Sequence, residues 1–91
     1  MAGFQIRKPH NMSRPELREA AERLARELES AHGVRARWEG DCVSIKGAGV
    51  DGRLTISDED VLVSVQMGLI ASAFKNVLRD EVQRFLDEYV A

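Results

Sequence analysis

The chain has 91 residues, 44% of them hydrophobic and 31% charged, with a formal net charge of -2 and one cysteine. That length supports one domain, residues 1–91, whose modest core needs neither a metal nor disulfides, and the near-neutral charge speaks against a nucleic-acid partner. No apolar run approaches the ~20 residues of a membrane-spanning helix, Arg7-Lys8-Pro9-His10 is unlike a secretion signal, and the lone Cys42 fits a reducing compartment, so a cytoplasmic protein is expected.

In chain order, Phe4-Gln5-Ile6-Arg7-Lys8 alternates with Phe4 and Ile6 on one side and predicts a short strand ended by Pro9. A helix follows with a full set of start signals. Ser13 can cap it while Glu16, three residues on, reaches back as a capping box, Met12 can staple onto Leu17, and Pro15 falls in the first turn, where no N–H is needed. Leu17, Ala20 or Ala21, Leu24, Leu28 and Ala31 then form one apolar stripe. The outer face carries Glu19 to Arg23 and Glu22 to Arg26 in the favourable i, i+4 order, and Gly33 is the expected left-handed stop.

From Val34 to Met67 the pattern changes to period two, in four short strands separated by turn signals. Val34, Ala36 and Trp38 share a face, then Val43 and Ile45, then Val50, Leu54 and Ile56, then Val61, Val63, Val65 and Met67, with mostly polar residues between them. Such a sheet is covered on one side only. Gly52 lies on the apolar face, where it predicts a bulge or a closely approaching helix. Past Gly68 a second helical segment begins at Leu69, with a break expected near Lys75-Asn76, where an all-round apolar stretch changes to an amphipathic one.

These elements read β-α-β-β-β-β-α, an α+β fold. Antiparallel pairing of the first strand with the last makes one five-stranded sheet in spatial order 2-3-4-5-1, with both helices on its apolar face. Trp38, Leu54, Ile56, Val63 and Phe85 are the predicted core, and at this size side chains are expected to fill the space between sheet and helices.

Chemistry-bearing motifs are missing, and neither an enzyme nor a cofactor or metal site is expected. His10 and His32 fall at opposite ends of the first helix, about 30 Å apart at 1.5 Å per residue, too far to share a metal. Cys42 has no Cys-x-x-Cys partner. Asp58-Glu59-Asp60 reads as a solvated hairpin turn. Gly47-x-Gly49-x-x-Gly52 leads into a strand, the wrong context for a dinucleotide loop. Arg35, Arg37, Lys46 and Arg53 make a solvated basic stripe on the open sheet face, and Trp38 is the one candidate for lining a ligand cavity, although a core anchor is the simpler role. Leu69, Ile70 and Phe74 stand apart. They span more than one helical stripe with no charge between Met67 and Lys75, so part of this segment is expected to be covered by a second copy of the chain, as a homodimer, or by an apolar partner.

The order Ile6-x-x-Pro9-His10, an Ala/Glu/Arg-rich capped helix, Trp38-Glu39-Gly40-Asp41, Gly49-Val50-Asp51-Gly52-x-Leu54-Thr55-Ile56-Ser57, Gly68-Leu69 and a charged C-terminal helix resembles the bacterial family of putative polyhydroxyalkanoic acid system proteins. The resemblance covers nearly the whole chain, and Gly49-Val50-Asp51-Gly52 is its most specific piece. Between Ser72 and Val77, where the family pattern carries a Gly-Pro interruption, this chain has no proline. The resemblance implies a non-enzymatic accessory protein associated with polyhydroxyalkanoate granules or their proteins through an apolar surface, with no catalytic residue to carry over. The alternative is a small apolar-ligand-binding module of helix-grip type.

Overall fold

The computed structural model describes residues 2–47, 49–69 and 71–90. Its elements are β1 (Ala2–Pro9), α1 (Arg14–His32), β2 (Arg35–Glu39), β3 (Cys42–Gly47), β4 (Val50–Ile56), β5 (Asp60–Met67), a 3₁₀ turn (Ala71–Phe74) and α2 (Lys75–Tyr89). The sheet is antiparallel throughout in the order β1-β5-β4-β3-β2, which is the predicted order read from the other edge. Both helices lie on its apolar face, α2 along β1 and α1 over β2 and β4, and all of these elements share one hydrophobic core.

The start and stop of α1 follow from local chemistry. The Ser13 hydroxyl accepts from the Glu16 N–H, and the Glu16 carboxylate accepts from the Ser13 N–H at 3.2 Å. Two otherwise orphaned donors are thereby satisfied. At the other end Gly33 takes φ 69°, and its N–H closes on the Glu29 carbonyl. Along the helix Glu19 and Arg23 approach to 3.7 Å. Glu22 and Arg26 form no ion pair among the described residues.

Side-chain size along the sheet decides how the core is filled. One cross-strand row, Ile6-Val63-Leu54-Val43-Trp38, carries a large side chain on every strand. The next row, Phe4-Val65-Gly52-Ile45-Ala36, has nothing at its centre and only a methyl at one edge. Gly52 makes no bulge, because β4 keeps continuous register with both neighbours. Nor does a helix press on it: the nearest atoms a Cβ there would meet belong to the neighbouring strands, Val65 and Ile45, at ordinary contact distances of 3.5 and 3.8 Å. The glycine leaves a hollow instead.

The predicted core residues Leu54, Ile56, Val63 and Phe85 are buried. Trp38 is only partly buried on the edge strand β2, with the Arg18 guanidinium 4.3 Å over its ring. The break in the last helical segment falls at Phe74-Lys75, where the 3₁₀ turn passes into α2. No proline is involved. Phe74, at φ -102° and ψ 9°, lies in the sparsely populated bridge region and makes no side-chain cap. Among the described residues no helix is long and apolar enough to cross a membrane.

Candidate functional site

The interface between helices and sheet has two unlike ends. At one, the N-terminus of α1 and the C-terminus of α2 are tied to the β1 exit and to the β2–β3 and β4–β5 turns. His10 is 8% exposed. Its Nδ1 accepts from the Met12 N–H at 3.1 Å, so the proton resides on Nε2 and is donated to the Ser57 carbonyl at 2.8 Å. The ring is thus consumed in locking the end of β1 onto the β4–β5 turn, as a turn-bonding role requires.

Arg14 bridges Asp41 and Asp58, one from each turn, and its guanidinium is held more firmly protonated by the Asp58 hydrogen bond and the Asp41 charge. Arg18 donates to the Gly40 carbonyl at 3.0 Å. Lys8 pairs with Asp87 at 3.0 Å and joins β1 to α2, while the Arg23 guanidinium lies 5.7 Å from the Tyr89 ring. The carboxylates here are stabilised in charged form. Asp58 is held below the usual range by hydrogen bonding to Arg14 and by its charge, Asp60 by hydrogen bonds from Ser57 and then Arg7, and Asp87 by those from Lys8 and Gln83. Behind this network Leu17, Ala21, Val61, Phe85, Leu86 and Val90 leave about 10 Å³, room for at most one water.

The other end is open. Between the C-terminal half of α1, the 3₁₀ turn, the start of α2 and the sheet lies a cavity of about 450 Å³, within the range of small-molecule sites. Side chains do not fill this space, contrary to the expectation from chain length, because Gly52 leaves the floor low between the walls that the two helices supply. Gly52, Leu54 and Val65 form the floor, Leu24 and Leu28 one wall, and Leu78 and Val82 the other. Phe74 and Ala71 from the 3₁₀ turn and Ala31 and His32 from α1 stand at the mouth. Trp38 is not among the lining residues.

The mouth is held by backbone chemistry. Gly49 has φ 79°, and a Cβ on it would come within 3.2 Å of the Ala71 Cβ, so the 3₁₀ turn can lean on the β3–β4 turn only where a glycine stands. The Gly49 carbonyl accepts from the Gly68 N–H, and the Gly68 carbonyl from the Ser72 N–H, both at 2.9 Å. Among the described residues one side-chain pair crosses the helices here, His32 Nε2 and Glu81 Oε2 at 2.8 Å.

Leu69 is 90% exposed and Phe74 63%; Ile70 lies outside the described residues. Sequence reasoning missed Val77, which is 61% exposed and extends the same apolar segment into α2. Its signal was present as an apolar residue three positions beyond Phe74, off the buried stripe of Leu78, Val82, Phe85 and Leu86. The basic stripe Arg35, Arg37, Lys46 and Arg53 lies exposed on the face opposite the helices. Cys42 is a free, half-buried thiol whose neighbour is the Thr55 hydroxyl.

Fold and site together define a small one-sided α+β protein, an antiparallel sheet under two helices that close at one end and hold an apolar cavity at the other. The family model of the putative polyhydroxyalkanoic acid system proteins matches residues 4–90, and the chain belongs to that family. No curated protein and no solved structure matches it. The residues that carry the family resemblance divide between the two ends: Pro9-His10 and Trp38-Glu39-Gly40-Asp41 build the closed one, Gly49-Val50-Asp51-Gly52 and Gly68-Leu69 the open one.

Proposed function

We propose that this is a non-enzymatic, cytoplasmic accessory protein of polyhydroxyalkanoate storage that meets the apolar surface of the polyester granule through Leu69, Phe74 and Val77. The observation that carries this reading is the exposure of three large apolar side chains along the 69–77 segment, with no charged residue between Met67 and Lys75. Exposed apolar surface of this kind marks a partner site, and family membership supports the granule as that partner. The test is co-sedimentation with amorphous polyhydroxybutyrate particles. Wild-type chain should pellet with them, and Leu69→Glu combined with Val77→Glu should stay in the supernatant with unchanged circular dichroism. Pelleting of the double variant, or no pelleting of the wild type, overturns the reading. Sedimentation velocity on both chains tests the competing cover, a homodimer, which the double variant would dissociate.

The cavity supports a second role, that of a helix-grip module holding a small apolar ligand. Its volume and its largely apolar lining favour that reading independently of the exposed segment.

A further inference from the structure

We infer that the cavity is a binding site for one unbranched alkyl or acyl chain with an uncharged hydroxyl or ester head, the chain lying over Gly52 and the head at the His32–Glu81 pair. This rests on the ligand-binding role and is independent of the granule surface.

Size sets the first limit. A cavity of ~150 Å³ holds a six-carbon ring, so about 450 Å³ accommodates on the order of ten to fifteen heavy atoms. Shape sets the second. The space is bounded by helix walls on two sides, Leu24 and Leu28 against Leu78 and Val82, with the sheet as floor and the packed Leu54 row at its inner limit. A chain that enters past Phe74 and Ala31 can run inwards along such a slot.

The floor is lowest at Gly52. A glycine in a central strand forgoes packing and side-chain burial, and neither a bulge nor a positive φ requires one here. A Cβ at this position would touch its neighbours only at ordinary contact distance. The local backbone therefore tolerates a Cβ, and what the glycine supplies is volume in the cavity.

The head group follows from the polar groups at the mouth. His32 lines the mouth and is paired through Nε2 with Glu81, both about one-third exposed, with the His32 Nδ1 side free to meet a ligand oxygen among the described residues. A carboxylate head bonded to His32 would share that ring with the Glu81 carboxylate, and the two like charges repel. Arg53 does not offset this. It borders the cavity from β4, but alternation sends its side chain to the outer face in the row with Ser44 and Ser64. A hydroxyl or ester oxygen, which brings no charge, meets no such repulsion.

The experiment is an amide NMR titration of the full chain with 1-decanol and, separately, decanoate, each below its aggregation threshold. With 1-decanol, saturable shifts are expected at Gly52, Leu54, Val65 and Leu78; decanoate should bind at least about tenfold more weakly at a pH where it is ionised. Gly52→Val should weaken 1-decanol binding by at least about tenfold, since it removes the room of several ligand carbons. Leu69→Glu with Val77→Glu, neither of which lines the cavity, should leave 1-decanol binding unchanged while losing adsorption to polyester particles, so the two roles fail separately. Absence of saturable shifts, shifts confined to residues 69–77, or undiminished binding by Gly52→Val overturns the proposal, and decanoate binding as tightly as 1-decanol overturns the head-group assignment. If Gly52→Val does not fold, the wild-type shift map decides alone. Nuclear Overhauser contacts between the Phe74 ring and Gly52 in ligand-free protein, without 1-decanol shifts, show the chain or a second copy filling its own cavity and likewise overturn it.

Discussion

The two ends of the helix–sheet interface use the same kinds of element and differ in what side chains they supply. At the closed end large residues from α1, β5 and α2 meet over a filled cross-strand row, Arg14 and Arg18 fasten α1 to the β2–β3 and β4–β5 turns, Lys8 ties β1 to α2, and His10 ties the end of β1 to the β4–β5 turn. At the open end the sheet row contains Gly52 and Ala36, and among the described residues a single side-chain pair, His32 with Glu81, spans the helices. The missing side chain at Gly52, with the helices held at the far end, is where the core gives way to a cavity. Close packing normally makes such a void costly, and under the ligand-binding proposal the volume at this central glycine is room for a ligand.

The largest expected effect tests that contrast directly. Leu86→Ala, at a closed-end side chain 1% exposed, should cost about 3–5 kcal/mol in urea denaturation, whereas Leu78→Ala, beside the existing cavity, should cost about 2 kcal/mol because that side chain already lacks partners on one side. Equal losses would erase the distinction between the ends. Next, Ser13→Ala should cost about 1 kcal/mol by breaking the capping box that starts α1 at the closed end; an unchanged denaturation midpoint would show that the turn contacts alone hold the helix start.

Gly52→Ala should move the other way. It ought to stabilise by about 0.4–1 kcal/mol, since the backbone is compatible and the unfolded chain loses freedom, while the closed-end variants only destabilise. A loss on this substitution would mean the row has no spare room. The smallest effect concerns acid. Asp58, Asp60 and Asp87 have folded values depressed below those of the unfolded chain, so their contribution is fully present above the ordinary carboxylate value near ~4 and is lost as pH falls through the depressed folded values. Solvent screens these exposed pairs, so the effect is small. Urea midpoints measured from pH 6 to pH 3 should fall with acid in the wild type and fall less in Asp58→Asn combined with Asp60→Asn. Identical slopes would remove the turn carboxylates from the acid response.

Much of the fold was legible because the signals were local. Ser13 and Glu16 lie three residues apart, Gly33 follows the last apolar turn of α1, and period-two alternation through Val34–Met67 fixes which residues face inward. Strand order followed from chain direction alone. The site was legible in part: the apolar 69–77 segment was visible as uncharged sequence, but Trp38 was the natural candidate for a ligand cavity and stands elsewhere, under Arg18 on the edge strand. Aromatic size is a sequence property. Position relative to two helices is not.

The sequence by itself determined the elements, their order, the apolar face of the sheet and the family, because each rests on spacing along the chain. Tertiary structure decided that Gly52 is a cavity floor rather than a bulge or a helix contact, that His10 is spent in pinning β1 to the β4–β5 turn, and that the helices close at one end only. Each of these depends on which side chains from distant strands and helices come to share one row, and a cavity in particular is a property of what does not meet. Gly52 and the wall residues Leu24, Leu28, Leu78 and Val82 are separated along the chain, and the space between them exists only once β4 and both helices stand over the same place.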